Sequence, residues 1–361
     1  MASSKILVIN PGSTSTKVAV FEGEDILASE TLRHSAEEIS KYSNTMEQLD
    51  FRKQAVLDFL EKSNVTVESL KAVVGRGGTL PPMEGGVYEV DDDLVNALVE
   101  YDEGHASSLG GIIAREIASI TGIPAFIVDP VTTDELEDIA RYSGIVEIER
   151  KSIFHALNQK AVARRAALSI GNKYEECNMI VVHLGGGISV GAHKHGRVVE
   201  VANALDGDGP FSPERSGGVP TSSLVKLCYS GKYSEAEMRK KIVGGGGLVA
   251  YYGTNSLFDV EKACEANDDK ALLYYEGMAY QVAKEIGRCA AALSGDVQAI
   301  VLTGGAARSQ ILVDWITKRV KFISQVLVFP GEDEMEALCQ GALRVFAGED
   351  IAKHIAQRGG V

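Results

Sequence analysis

Along this chain, apolar runs of strand length end in glycine-rich polar turns, with stretches of helical spacing between them. Residues 5–10 (KILVIN) read as a buried strand, 11–16 as a polar turn, 17–21 (KVAVF) as a second strand and 25–32 as a third, together an antiparallel meander. Met46, Leu49, Val56, Leu57 and Leu60 recur at helical spacing and predict a helix over 46–62. A short strand at 72–74 runs into Gly75-Arg76-Gly77-Gly78. Helices follow over 91–100 and 108–121, then a strand at 125–128 that stops at Asp129-Pro130, then a helix from about 155 to 170.

The opening pattern then returns. Residues 179–184 (MIVVHL) form a strand, Gly185-Gly186-Gly187 a turn, 188–193 (ISVGAH) a strand and 197–201 a third. Helices are expected near 221–229 and 268–293, a strand at 299–302 ending in Thr303-Gly304-Gly305, a helix near 309–318, a strand at 326–329 and a last helix over 332–346. One repeat at so long a period means two related halves, not a solenoid of many short units. The expected division is 1–150, joined by the returning segment from about 335 to 361, and 151–334. The surface between two such halves is a natural place for a ligand cleft.

Composition narrows the class. A chain of 361 residues suits two domains, and 45% hydrophobic against 24% charged residues excludes a disordered chain. With 36 Lys and Arg against 50 Asp and Glu, the net charge of -14 argues against nucleic acid or an anionic membrane as partner. It leaves room for a small anion held by a few placed cations. No run approaches the ~18 apolar residues of a membrane helix, and Met1–Lys5 leads into only four apolar residues, too few for a signal peptide. The five cysteines are scattered, odd in number and without C-x-x-C, and read as reduced thiols of a cytoplasmic protein.

Three turns suit phosphate. Asn10-Pro-Gly-Ser13-Thr-Ser15-Thr-Lys17 sets amides and hydroxyls on one bend with an ammonium at its end; a plain polar hairpin is the alternative. In His183-Leu-Gly185-Gly186-Gly187, backbone amides can reach a phosphate with no Cβ in the way. Gly304-Gly305 leaves a strand for a helix and suits a phosphate or nucleoside at the helix start. There is no G-x-x-x-x-G-K-S/T, no G-x-G-x-x-G and no G-x-S-x-G, which sets aside P-loop enzymes, dinucleotide and protein-kinase glycine loops, and serine hydrolases. His193-Lys194-His195 has no further ligand at metal spacing and reads as a solvated strand end. Arg76 between glycines and Arg215 in a loop of turn formers, together with Lys17 and a histidine, would trap a carboxylate and a transferring phosphoryl group. Asp129 is either a magnesium ligand or an Asx turn.

The strand–turn–strand segments at 6–21 and 179–193, with Thr303-Gly-Gly305, resemble the two phosphate motifs and the adenosine motif of the superfamily of acetate kinase, sugar kinases, heat-shock chaperone ATPases and actin. Within it the chain resembles the acetokinase family, most closely its butyrate kinases. The stretches that carry this are Val73-Val-Gly-Arg-Gly-Gly78, Ile127-Val-Asp-Pro130, Phe154-His-Ala-Leu-Asn-Gln159, the run from His183 to Val190, the loop from Asn203 to Gly217, and Gly331-Glu-Asp-Glu-Met-Glu336. They span about 6–348. The resemblance implies an α/β fold of two ribonuclease H-like domains, each a mixed five-stranded sheet flanked by helices, with the nucleotide cleft between them. It implies reversible phosphoryl transfer from ATP to a short-chain carboxylate, with Mg²⁺, in a cytoplasmic homodimer or larger homo-oligomer.

By the same resemblance, Arg76 and Arg215 match the two active-site arginines, His183 the active-site histidine and Asp129 the active-site aspartate. Asn10, Ser13, Ser15 and Lys17 match the first phosphate turn, Gly185, Gly186 and Gly187 the second, and Gly304 and Gly305 the adenosine motif. A carboxylate near the magnesium falls within Glu332-Asp333-Glu334, with Glu334 preferred. Gln159 stands where acetate kinase has a second histidine, and Gly186 where it has asparagine; both departures fit the butyrate kinases and count against acetate as the best substrate. Two other classes share the fold. A chaperone or scaffold ATPase needs no carboxylate trap, and a hexokinase-like sugar kinase would need a base, for which Asp129 is the candidate.

Overall fold

The structure, a computed structural model, describes residues 5–355; residues 1–4 and 356–361, the latter part of the expected returning segment, lie outside the described residues. The chain forms two compact units, one running to Thr133 and resuming at Asp333, the other Asp134–Glu332. The sequence pattern places these changes at 150/151 and 334/335.

The first unit holds β1 (Lys5–Pro11), β2 (Ser15–Glu22), β3 (Asp25–Arg33), the single turn α1 (Ala36–Ile39), α2 (Leu49–Lys62), β4 (Leu70–Gly75), β5 (Val87–Glu89), α3 (Asp92–Glu100), α4 (Ser108–Ser119) and β6 (Ala125–Val128). Its sheet runs β3-β2-β1-β4-β6-β5. The β1–β2–β3 meander is antiparallel, β4 adds parallel to β1 and β6 parallel to β4. The sixth strand, one more than expected, is β5, antiparallel to β6 and too short for its pattern to announce it. Ile6 to Ile9 are all fully buried, which is why β1 reads as a continuous apolar run and not an alternating one. Leu7 and Ile9 pack with α2 and α4 in one cluster. The glycines around Arg76 let backbone meet backbone. A Cβ on Gly75 would lie 2.1 Å from Gly110 O, and one on Gly78 2.3 Å from Ser108 Cα, so the end of β4 sits directly on α4.

The second unit holds β7 (Tyr142–Ile145), β8 (Ile148–Glu149), α5 (Ala156–Ser169), β9 (Asn178–Leu184), β10 (Ile188–Lys194), β11 (Arg197–Val201), α6 (Thr221–Cys228), α7 (Glu235–Ile242), α8 (Gly247–Tyr252), α9 (Leu257–Glu265), α10 (Asp269–Ala292), β12 (Ala299–Gly304), α11 (Gln310–Val320) and β13 (Val326–Pro330). Its order β11-β10-β9-β12-β13 repeats that of β3-β2-β1-β4-β6, the duplication expected from the pattern. Helices α10 and α11 cover one face of this sheet and α5 the other. The last helix, α12 (Glu334–Ala347), belongs to the first unit, where Gly341 packs on Val128 of β6. The pattern missed α7, whose only buried residue is Met238, and the fully exposed β7–β8 hairpin, because neither has a buried face to impose a period. Gly246 and Gly247 serve another close approach: a Cβ on Gly247 would lie 1.8 Å from Ser212 O, so α8 begins against the Arg215 loop.

Among the described residues no helix is long and apolar enough to cross a membrane. All five cysteines are free thiols.

Candidate active site

In the first unit three candidates meet. Arg76 follows β4, and its amide donates to Ile9 O at 2.9 Å. Its guanidinium pairs with Glu334 Oε1 at the start of α12, and Asn10 Nδ2 donates to Glu334 Oε2 at 2.7 Å. Burial would raise the Glu334 carboxyl, but Arg76, then Asn10 and Lys17, outweigh it and hold the group below its ordinary value. Of the three acidic residues 332–334, Glu334 is therefore the one that meets Arg76.

The turn after β1 is built around a residue the sequence pattern did not single out. Arg52 on α2 is fully buried. Its Nη1 donates to Gly12 O (2.9 Å), Ser15 O (3.2 Å) and Thr16 Oγ1 (3.1 Å), its Nη2 to Ser13 O (3.0 Å) and its Nε to Gln48 Oε1 (3.0 Å). Every acceptor is neutral, so a buried cation lies directly beneath the turn while Ser13 and Lys17 face solvent. Its signal was spacing: Gln48, Arg52, Val56 and Phe59 share the buried side of the helix.

Asp129 is buried at positive φ of 39°. Gly86 N donates to its Oδ1 at 2.7 Å, and its own amide donates to Gly86 O, which ties the end of β6 to the turn before β5. Its Oδ2 has no hydrogen bond among the described residues. For magnesium, which usually takes one or two carboxylates plus phosphates and water, Asp129 fits as one such group. Glu334 does not fit as it stands, since Arg76 and Asn10 engage both of its oxygens. No group of three His, Cys, Asp or Glu among the described residues forms a metal cage.

In the second unit His183, the glycine turn and Arg215 converge. His183 on β9 is buried, and its Nδ1 lies 2.7 Å from Asn158 Oδ1. Asn158 Nδ2 donates to Glu332 O, so Oδ1 is the acceptor and His183 Nδ1 carries a proton. A neutral His183 then has an unprotonated Nε2, the atom beside Gly185. The partly exposed imidazole here is His155, which caps α5 and stacks on His183 at 3.8 Å between centroids and 8° between planes. The sequence reading assigned His183 alone; His155 lay within the quoted Phe154–Gln159 stretch.

Arg215 Nη1 donates to Ala204 O at 2.9 Å, its Nε is buried without a partner, and it makes no ion pair among the described residues. Burial pushes its pKa down from the ordinary value. The guanidinium lies on the glycine turn: a Cβ on Gly187 would sit 2.2 Å from Nη1. Ser212 Oγ donates to Gly186 O at 2.7 Å and fastens the loop to the same turn. Gly187→Ala is thus expected to displace the far end of Arg215, lowering kcat by about tenfold or more while the thermal midpoint moves little. Steady-state kinetics and a melting curve check this; unchanged turnover would show that the guanidinium's seat does not matter.

Gly304 and Gly305 differ in role. Gly304 exchanges backbone hydrogen bonds with Gly331, and a Cβ on it would lie 2.2 Å from Leu184 O, so it serves strand packing. Gly305 is exposed, with nothing near its Cβ position, and opens a 3-10 turn that leads to the Ser309 cap of α11. His193 corrects an expectation. It is not a solvated strand end but is fully buried between Tyr174 and Gln159.

A sequence model of the acetokinase family matches residues 142–325. Butyrate kinase 2 of Clostridium acetobutylicum is 55% identical over 350 residues, 97% of this chain and 98% of that protein. The acetate kinase of Porphyromonas gingivalis superposes with a TM-score of 0.80 at 19% identity, covering 95% of this chain and 100% of the other. A propionate kinase from Francisella tularensis superposes with a TM-score of 0.74 at 19% identity, covering 94% and 98%. The two structures share the fold of this chain. With half of its length matched by the family and nearly all of it aligned to a relative at that identity, the chain belongs to the acetokinase family of carboxylate kinases.

Proposed function

We propose that this enzyme is a butyrate kinase, transferring the γ-phosphoryl group of ATP reversibly to butyrate, isobutyrate or a similar short carboxylate to give acyl phosphate and ADP. The observation that carries the reading is Arg215: a partly buried guanidinium without an ion pair, laid on a glycine turn of the phosphate-binding type. The 55% identity to the Clostridium acetobutylicum butyrate kinase supports the choice of acid.

One oxygen of the acid attacks the γ-phosphorus. The bond from that phosphorus to the bridging oxygen breaks, and ADP leaves with the electron pair. The attacking carboxylate is already ionised at pH 7, so no base is required. What remains for the protein is positioning and charge neutralisation. Arg76, oriented by Glu334 and Asn10, holds the carboxylate. Arg215 and His155 hold the oxygens of the transferring group; His183 supports His155 from beneath and joins as a donor only when protonated. Asn10, Ser13, Ser15 and Lys17 with Gly185, Gly186 and Gly187 take the phosphates, and Gly304 and Gly305 lie on the adenosine side. Asp129 would hold a magnesium ion, which would supply positive charge against the nucleotide's phosphates. The enzyme is read as a cytoplasmic homodimer or larger homo-oligomer, whose size sedimentation would measure.

The preferred acid is expected to be longer than acetate. Each buried methylene is worth ~0.8 kcal/mol, so the two that separate butyrate from acetate should give about tenfold or more in specificity constant. A hydroxamate assay of acyl phosphate formed from ATP over C2 to C6 straight and branched acids measures this. Equal constants for acetate and butyrate would sink the butyrate assignment, and ATP turnover without any acid would point to an ATPase.

A further inference from the structure

Behind His155, within the second unit, runs a chain of buried polar groups. Gln159, fully buried on α5, is its pivot. Its Nε2 donates to Ser189 O at 3.1 Å and to Ser189 Oγ at 2.8 Å. A carbonyl cannot donate, so the amide can point only this way, and Oε1 is the acceptor on the other side. Oε1 faces His193 Nε2 at 3.0 Å, which therefore carries a proton. Full burial, with Lys160 and Arg164 nearby, drives the His193 pKa well below its ordinary value and keeps the ring neutral. Its Nδ1 is then an acceptor, and the Tyr174 hydroxyl donates to it at 2.8 Å. At the other end, Ser189 Oγ already accepts from Gln159, so its own proton goes to His155 Nδ1 at 2.8 Å. Gly191 makes room for the pivot: a Cβ there would lie 2.7 Å from Gln159 Oε1.

We propose that Tyr174, His193, Gln159 and Ser189 form a one-directional hydrogen-bond relay that positions His155 and keeps its proton on Nε2, so that a neutral imidazole offers an N–H donor to the transferring phosphoryl group. The proposal rests on the placement of His155 in the phosphoryl site above. The stacked rings take opposite tautomers, because Asn158 draws the His183 proton to Nδ1 while Ser189 fills the His155 Nδ1 lone pair. The opposite His155 tautomer would turn a lone pair on Nε2 toward an anionic oxygen. Charging both rings instead would set two cations 3.8 Å apart.

Histidine-¹⁵N NMR of the full chain reads the tautomers directly. In the unsubstituted protein His155 is expected protonated at Nε2 and His183 at Nδ1; His155 protonated at Nδ1 overturns the relay. Gln159→Glu keeps the shape and removes the donor. The Ser189 proton then turns to the introduced carboxylate, Oγ accepts from His155, and the tautomer reverses. The expected kcat falls about 100-fold, as when one transition-state donor is lost, with KM for butyrate within twofold. Should the buried carboxylate disturb folding, Ser189→Ala cuts the link to His155 with little change in volume. Its expected effect is a loss of the fixed tautomer and about tenfold in kcat, near the worth of one hydrogen bond, with a thermal midpoint within a few degrees. An unchanged His155 tautomer in both variants overturns the relay. A reversed tautomer with normal kcat leaves the relay standing and removes His155 from the phosphoryl site.

Discussion

Arg215→Ala is expected to lower kcat by about 10²–10⁴, the range for loss of a donor to charge that develops in the transition state. KM for ATP should change little, because the interaction tightens as the phosphoryl group moves between oxygens. The loop itself should survive the substitution. Its backbone is held by Ser212 N donating to Arg215 O and by the Gly246-Gly247 approach, neither of which needs the side chain. Loss of activity with a nearly unchanged thermal midpoint is therefore the expected pair of results. Arg215→Lys should recover little, since one ammonium cannot lie on Gly187, reach Ala204 O and present a fork to a phosphoryl group at once. The competing view, a loop arginine of no chemical consequence, requires a change in kcat below about tenfold and perturbs stability by under ~1 kcal/mol. Near-normal turnover in the alanine variant would remove Arg215 from the mechanism.

Arg52→Leu is expected to act on both fold and nucleotide use. The substitution leaves Gln48 Oε1, Gly12 O and Ser13 O without the Arg52 donor, while Ser15 O keeps the Gly12 amide and Thr16 Oγ1 keeps His34. Breaking this connected, partly buried network costs about 3–5 kcal/mol, which for units of this size is roughly 10 °C in thermal midpoint. The turn after β1 then loses the strut that bends its carbonyls inward, and the positive charge beneath it. KM for ATP is expected to rise by about tenfold or more, with a smaller change for the acid. Arg52→Lys keeps the charge but not the fork, and should restore part of the ATP affinity and less of the stability. A destabilised Arg52→Leu protein with unchanged KM for ATP would make Arg52 a structural strut only.

Much of this was written in the chain order. A strand covered on both faces must be apolar at every position, so 6–9 and 179–182 declared themselves without tertiary information. The shared strand–turn–strand pattern likewise exposed the duplication, because the same packing problem is solved twice. Arg76 stood out as a candidate because a cation between glycines has few local partners, and Arg215 because it lies in a loop of turn formers. Other features depended on which elements the fold brings together. Asn10 and Glu334 are 324 residues apart, and only the return of α12 to the first sheet makes Glu334 the partner of Arg76. His155 and His183 lie on a helix cap and a strand, and their stacking follows from how α5 crosses the second sheet. His193 looked like a solvated strand end because its neighbours Lys194 and His195 are polar; Tyr174 and Gln159, arriving from other elements, bury it. Local sequence sets which faces are apolar and where the backbone can bend. The direction of each buried hydrogen bond, and with it the proton on each histidine, is decided by acceptors that only the folded chain supplies.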